Sequence, residues 1–202
     1  PFVFFSSAYV YGALNSSAGI RESDPLSPTG VYGRSKLFSE QALKMVSQTL
    51  HFPVLAVRLF NHSHKTQTGD FFLPTMYRTL LNSKAAVVQV PMGDPSLKRD
   101  FGTTQDFRLA LEALVKSRMK IRENFQAVNL CSGHPRELGS LVQALAKQMR
   151  KTAELAPQRS RMRKDDVPIF YGDPKAFQDL TGFRAQEVTD EQFIARFLAD
   201  IT

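Results

Sequence analysis

Tyr32 and Lys36 stand four residues apart in a stretch whose spacing predicts a helix, so their side chains share one face. An ammonium beside a phenol favours the phenolate, and a tyrosine so placed can give or take a proton near neutral pH. Ser7, at the end of the preceding apolar segment, is placed to hydrogen-bond the same reacting oxygen. An ordinary surface tyrosine and lysine show the same spacing, so the flanking elements decide its meaning. Other reactive types are sparse. His62 and His64 lie two apart in a loop without a neighbouring cysteine or carboxylate, a poor metal set, and no metal is expected. Cys131, the single cysteine, reads as a small buried residue without a histidine partner, and His134 as an exposed loop residue.

The elements that must position these residues follow from periodicity and punctuation. Residues 2–6 read as a buried strand, followed by a loop through Pro25 and Pro28 to Gly30. A helix is predicted over 31–50, with Leu37, Phe38, Ala42, Leu43, Val46 and Leu50 as its apolar stripe. Residues 53–59 form a second buried strand and 61–70 a polar loop. A helix starts near Pro74 and runs to about Asn82, and 86–90 is a short strand. Residues 104–117 are helical, 125–130 a strand and 138–150 a helix. A short strand near Ile169 and two short helices complete the chain. Strand, loop, helix and strand in this order imply an α/β fold with a parallel sheet. Ligands bind beyond the carboxyl ends of such strands, here Ser6-Ser7, Leu59-Phe60-Asn61 and Cys131-Ser132-Gly133.

The 202 residues are 43% hydrophobic and 22% charged, which suits one folded domain or one domain with an appendage. No apolar run approaches the ~18 residues of a membrane span, and no basic leader precedes the first strand, so no membrane partner and a cytoplasmic, reducing location are expected. The net charge of +7 attracts anions in general. Between Lys116 and Lys164 twelve basic residues face three acidic ones, a pattern read chiefly as solvated helix faces. Only Phe125 interleaves an aromatic ring there, so no nucleic-acid partner is expected.

In order along the chain, Phe5-Ser-Ser-Ala-Tyr-Val-Tyr-Gly12 and Tyr32-Gly-Arg-Ser-Lys36 resemble the extended short-chain dehydrogenase/reductase family of sugar-nucleotide epimerases, dehydratases and reductases. The resemblance implies a Rossmann-like fold with a smaller C-terminal substrate-binding lobe. It implies catalytic roles for Ser7, Tyr32 and Lys36, with Tyr32 exchanging a proton at a sugar oxygen and Lys36 also holding the ribose of NAD or NADP. Arg58-Leu-Phe-Asn-His62 and Lys98-Arg-Asp-Phe-Gly102 resemble segments in which the family's asparagine and arginine reach the nucleotide diphosphate, here Asn61 and Arg99. The tail from Arg161 to Phe183 resembles the GDP-mannose dehydratase and GDP-4-keto-6-deoxymannose reductase branch, which would put Arg163 and Asp166 on phosphate and ribose. Arginine forks suit diphosphate oxygens and a carboxylate suits ribose hydroxyls. The family usually dimerises through the helix bearing the Tyr/Lys pair and the helix before it, of which this sequence holds the first, so a homodimer is an expectation of the resemblance alone.

Two departures refine the expectation. Dehydratases of the family carry an acid two positions after the serine, where this chain has Tyr9, so keto reduction or epimerisation at the sugar C4 is favoured over water loss. The family's Gly-rich dinucleotide turn has no counterpart in this sequence. The chain is therefore expected to be the later part of such an enzyme, with little turnover alone. Residues 1–60 would be a partial Rossmann-like portion and 61–202 a sugar-nucleotide lobe whose strands near 86–90 and 125–131 return to the sheet. The alternative is a non-catalytic sugar-nucleotide-binding or interaction module.

Overall fold

The computed structural model describes residues 1–15, 17–162 and 166–199. Its first layer is a parallel sheet of β1 (Phe2–Ser7), β2 (Val54–Leu59) and, further along the chain, Phe125–Leu130, in that spatial order. The pairing is in step, with Ser7 opposite Leu59 and Leu59 opposite Leu130, so all three strands end at one edge. Apart from Arg58, β2 is apolar on both faces, and both are covered. Helix α1 (Val31–Leu50) packs on the face that carries Phe4, Ser6 and Arg58. Leu55, Val57 and Val128 face the other way, against the helices Thr104–Lys116 and Lys175–Thr181. α1 ends at His51, in the left-handed conformation (φ 52°), and Pro53 then stops any continuation.

Beyond β2 the chain runs through β3 (Asn61–Ser63), α2 (Phe72–Asn82), β4 (Val87–Met92) and β5 (Lys98–Thr103) into α3 (Thr104–Lys116). Thr103 and Asp106 exchange side-chain and backbone hydrogen bonds at the start of α3, a capping box that satisfies its first donors. Then come β6 (Phe125–Leu130), β7 (Pro135–Glu137), α4 (Leu138–Gln148), β8 (Thr152–Pro157), β9 (Ile169–Phe170), α5 (Lys175–Thr181) and α6 (Asp190–Leu198). Of the strands expected to return to the main sheet, β6 joins it. β4 instead pairs in parallel with β8. Its burial alternates, with Val88, Val90 and Met92 inside and Val87 and Gln89 outside, which suits a sheet covered on one face and not a central strand. β4, α2, α4 and α6 share a core built on Leu73, Leu80, Val90, Leu141, Ile194 and Phe197.

The apolar stripe expected on α1 is not its buried face. Phe38, Val46 and Leu50 are exposed, Phe38 by 73%. The helix turns Gly33, Glu40 and Ser47 inward, seven residues apart and hence on one face. Each has a partner that an apolar side chain would not serve. Gly33 admits the backbone of Tyr9, Glu40 meets Arg58, and Ser47 Oγ donates to a backbone carbonyl, with both Phe52 and Asn124 in reach.

Candidate active site

The strand ends bring Ser7, Tyr32 and Lys36 to one region. β1 ends in a short 3-10 turn, Ala8–Tyr11, on which α1 docks. A Cβ at Gly33 would stand 2.5 Å from the Tyr9 carbonyl oxygen and 2.9 Å from Pro28 Cβ, so only glycine lets the helix approach this closely. Lys36 reaches back over β1. Its Nζ donates to the Phe5 carbonyl at 2.9 Å and lies 4.9 Å from the Phe4 ring centre and 5.8 Å from that of Tyr32. Tyr32 is 56% exposed and meets Tyr9 edge-to-face at 6.2 Å. Ser7 is buried, and its Oγ accepts from the Tyr9 N–H at 3.3 Å. That bond uses a lone pair, and the hydroxyl hydrogen has no acceptor among the described residues.

A buried polar network lies beneath this set. Arg58 Nη2 donates to Glu40 Oε2 at 2.8 Å, and both side chains are almost fully enclosed. Ser6 Oγ donates to the same carboxylate, so α1 is tied to β1 one residue from Ser7. Arg58 Nη1 donates to Tyr11 Oη at 3.0 Å, and Tyr11 donates to Asn129 Oδ1 at 2.7 Å. Asn129 donates through Nδ2 to the Ile20 carbonyl and through its backbone N–H to Glu22. Burial pushes the Tyr11 phenol up to about 12, against the opposing pull of Arg58. Burial also raises Glu22, partly offset by the Asn129 N–H. On Arg58 burial works downward, but bonding to Glu40 and the neighbouring Tyr11 outweigh it, and the guanidinium is held firmly charged.

A second buried group gathers the other strand ends. The Asp100 carboxylate, fully enclosed on β5, accepts from Ser132 N at 2.8 Å, Ser132 Oγ at 2.7 Å and Gly133 N at 3.0 Å. Burial raises its pKa against these hydrogen bonds. Its backbone carbonyl accepts from Asn61 Nδ2 at 3.0 Å, so Asn61 is held beside β5. Asn61 also lines a cavity of about 30 Å³ with His62, Asp106, Phe107, Cys131 and Ser132, at the carboxyl ends of β2 and β6. Arg99 donates to Asp166 Oδ1 at 2.9 Å and to the Val167 carbonyl at 2.8 Å, so these two candidates form an ion pair. Arg163 lies outside the described residues. A larger groove of about 580 Å³ between the first turns of α4 and α6 is lined by none of the candidates.

The minor candidates have ordinary places. Burial raises the Cys131 thiol well above its usual range, which leaves it a poor nucleophile. His62 stacks on Phe107 at 5.2 Å, and His64 bonds Thr66. Among the described residues no three metal-binding side chains cluster. The sequence reading missed Glu40, Tyr11, Asn129 and Asp100. A signal exists for the first: Arg58 inside an apolar strand calls for a buried acid.

With this geometry in view, the family model described as GDP-mannose 4,6 dehydratase matches residues 1–196. The chain belongs to that family. Among curated relatives it is 28% identical over 202 residues to GDP-6-deoxy-D-mannose reductase of Pseudomonas aeruginosa, covering 98% of this chain and 65% of that one. It is 25% identical to GDP-6-deoxy-D-talose 4-dehydrogenase of Aggregatibacter actinomycetemcomitans, covering 88% and 57%. The structure of RMD from Pseudomonas aeruginosa complexed with NADPH superposes with a TM-score of 0.81 at 27% identity, over 98% of this chain and 64% of that one. UDP-glucose 4-epimerase from Bifidobacterium longum, solved with NAD+ and UDP, shares the fold at a TM-score of 0.77 and 24% identity, over 97% of this chain and 62% of that one. The fold is thus α/β and Rossmann-like, and the chain spans less than two thirds of the length of these relatives.

Proposed function

We propose that this chain carries the proton-transfer set and sugar-nucleotide lobe of an NAD(P)-dependent enzyme that reduces or epimerises a GDP-hexose at C4. The observation that carries the reading is the docking of Tyr32 and Lys36 over the end of β1 beside Ser7. Ser7 keeps its hydroxyl hydrogen for the sugar oxygen, because its Oγ accepts from the Tyr9 N–H and donates to no described residue. Tyr32, exposed toward solvent, exchanges a proton with that oxygen as its bond order changes. The Lys36 ammonium keeps two donors beyond the one given to Phe5, enough for the ribose hydroxyls of a nicotinamide nucleotide, so the donor set fits such a group. When bound, that nucleotide supplies or accepts the hydride at C4. Tyr9, not a carboxylate, stands beside Tyr32, which supports reduction or epimerisation over dehydration. Residues 1–60 would carry the proton-transfer set and 61–202 the lobe, with Asn61, Arg99, Arg163 and Asp166 meeting the nucleotide. Arg99 would then exchange part of its bonding to Asp166 and Val167 for phosphate oxygens.

Calorimetry with a GDP-4-keto-6-deoxyhexose tests the proton-transfer set. Tyr32→Phe and Ser7→Ala should each weaken binding ~5- to 10-fold, the value of one lost hydrogen bond, and leave affinity for GDP unchanged. Equal binding of the keto sugar by wild type and both variants would refute these roles and leave a non-catalytic binding module standing.

A further inference from the structure

The basic stretch after α3 takes no part in the proposed site. It sits at the amino-terminal ends of the parallel strands, opposite the edge that carries Ser7, because Ile121 and Asn124 lead directly into β6. Here Leu114, Ser117 and Ile121 are buried and anchor the turn, with Ser117 Oγ 3.5 Å from the Thr181 carbonyl. The residues between them point outward. Lys116, Arg118, Lys120 and Arg122 are all exposed, as are Val115 at 55% and Met119 at 64%. Among the described residues none of the four cations has an acidic partner. Elsewhere in the same basic stretch, Arg136 is paired with Asp190 and Lys147 with Glu191. With the exposed Glu123 counted, the tip from Val115 to Glu123 carries a net +3. Arg118 also bonds the Val115 carbonyl at 3.0 Å, so the turn is held in shape.

We propose that this tip is a peripheral docking surface for an anionic lipid bilayer. Cations without acidic partners, flanking exposed apolar side chains on one turn, suit a surface that is negative outside and apolar a few ångströms in. A nucleic acid would be met by stacking rings, and residues 115–123 contain none. Met119 and Val115 would enter between headgroups while Lys116, Lys120 and Arg122 meet phosphates and carboxylates. None of the described helices is long and apolar enough to cross a membrane, and this contact needs none. The sequence expectation of no membrane partner rested on the lack of a spanning run and does not bear on a surface contact. Because the tip is opposite the strand-end edge, docking leaves that edge open.

The test is cosedimentation of the chain with vesicles of phosphatidylcholine alone or with about 30% phosphatidylserine, at about 0.1 M and 0.5 M salt. Binding is expected only with phosphatidylserine and only at the lower salt. Lys120→Gln with Arg122→Gln should weaken it ~25-fold, ~5-fold per cation. Met119→Asp should weaken it further. Lys84→Gln with Arg150→Gln removes the same charge from exposed positions on the lobe and should leave binding within ~2-fold if location decides. No binding to the anionic vesicles, or an equal loss in the lobe variant, overturns the proposal. Preferential binding to an acidic polypeptide such as polyglutamate, through the same residues, also overturns it. Circular dichroism confirms that each variant is folded, and none of these residues belongs to the proposed site.

Discussion

Replacing Arg58 by Met should destabilise the chain far more than a surface charge would. Arg58 and Glu40 are nearly fully enclosed, so removing the cation leaves a buried carboxylate with Ser6 as its remaining partner. A buried pair broken on one side costs about 3–5 kcal/mol, a large share of a typical domain's stability. The Tyr11 hydroxyl oxygen and the Glu22 carbonyl each lose a donor as well. Removing both ions, with Glu40→Leu added, deletes the unpaired charge and should recover most of that loss. What remains is about 1–3 kcal/mol for the bonds Tyr11, Glu22 and Ser6 no longer make. Urea unfolding at neutral pH reads this directly. With a slope near 2 kcal/mol/M, the single variant's midpoint should fall by about 1.5–2.5 M and the double variant's by about 0.5–1.5 M. A loss below about 1 kcal/mol for Arg58→Met, or a double variant no better than the single, would refute the view that the pair works as a desolvated unit.

Tyr11 gives an alkaline signature. Its folded pKa, about 12, lies above the ordinary 10, so its contribution is fully present below pH 10 and lost as pH rises to 12. Two units correspond to roughly 3 kcal/mol lost between pH 10 and 12, a loss that Tyr11→Phe should escape in urea titrations; at neutral pH that variant should be less stable because the bonds to Arg58 and Asn129 are gone. Gly33→Ala should cost about 1–3 kcal/mol and weaken keto-sugar binding, because the new methyl group would lift α1 from the Tyr9 carbonyl; unchanged stability and affinity would show that the close approach has no consequence.

The parts of the fold legible in sequence were those where local pattern and burial agree. The bounds of the helix over 31–50 and the strand over 125–130 are legible, because Gly30, Pro53 and a compact apolar run punctuate them. β5 was missed, since Lys-Arg-Asp-Phe-Gly-Thr has no strand alternation. Asp100 is buried there only because backbone and hydroxyl donors from Ser132 and Gly133 arrive from far along the chain. The buried face of α1 was misjudged for the same reason. Glu40 faces inward because Arg58 waits there, a long-range pairing that helical periodicity does not encode. The placement of Tyr32 and Lys36 on one face was readable, because four-residue spacing fixes it whatever surrounds the helix.

Titration of the chain with GDP-mannose in a calorimeter tests the central claim most directly. The account predicts binding that Arg99→Met weakens ~10- to 100-fold, the value of charge-assisted bonds to a diphosphate, while Tyr32→Phe costs no more than the ~5- to 10-fold of one lost bond to the sugar. Absence of binding, or binding indifferent to Arg99, would contradict a sugar-nucleotide site in this lobe.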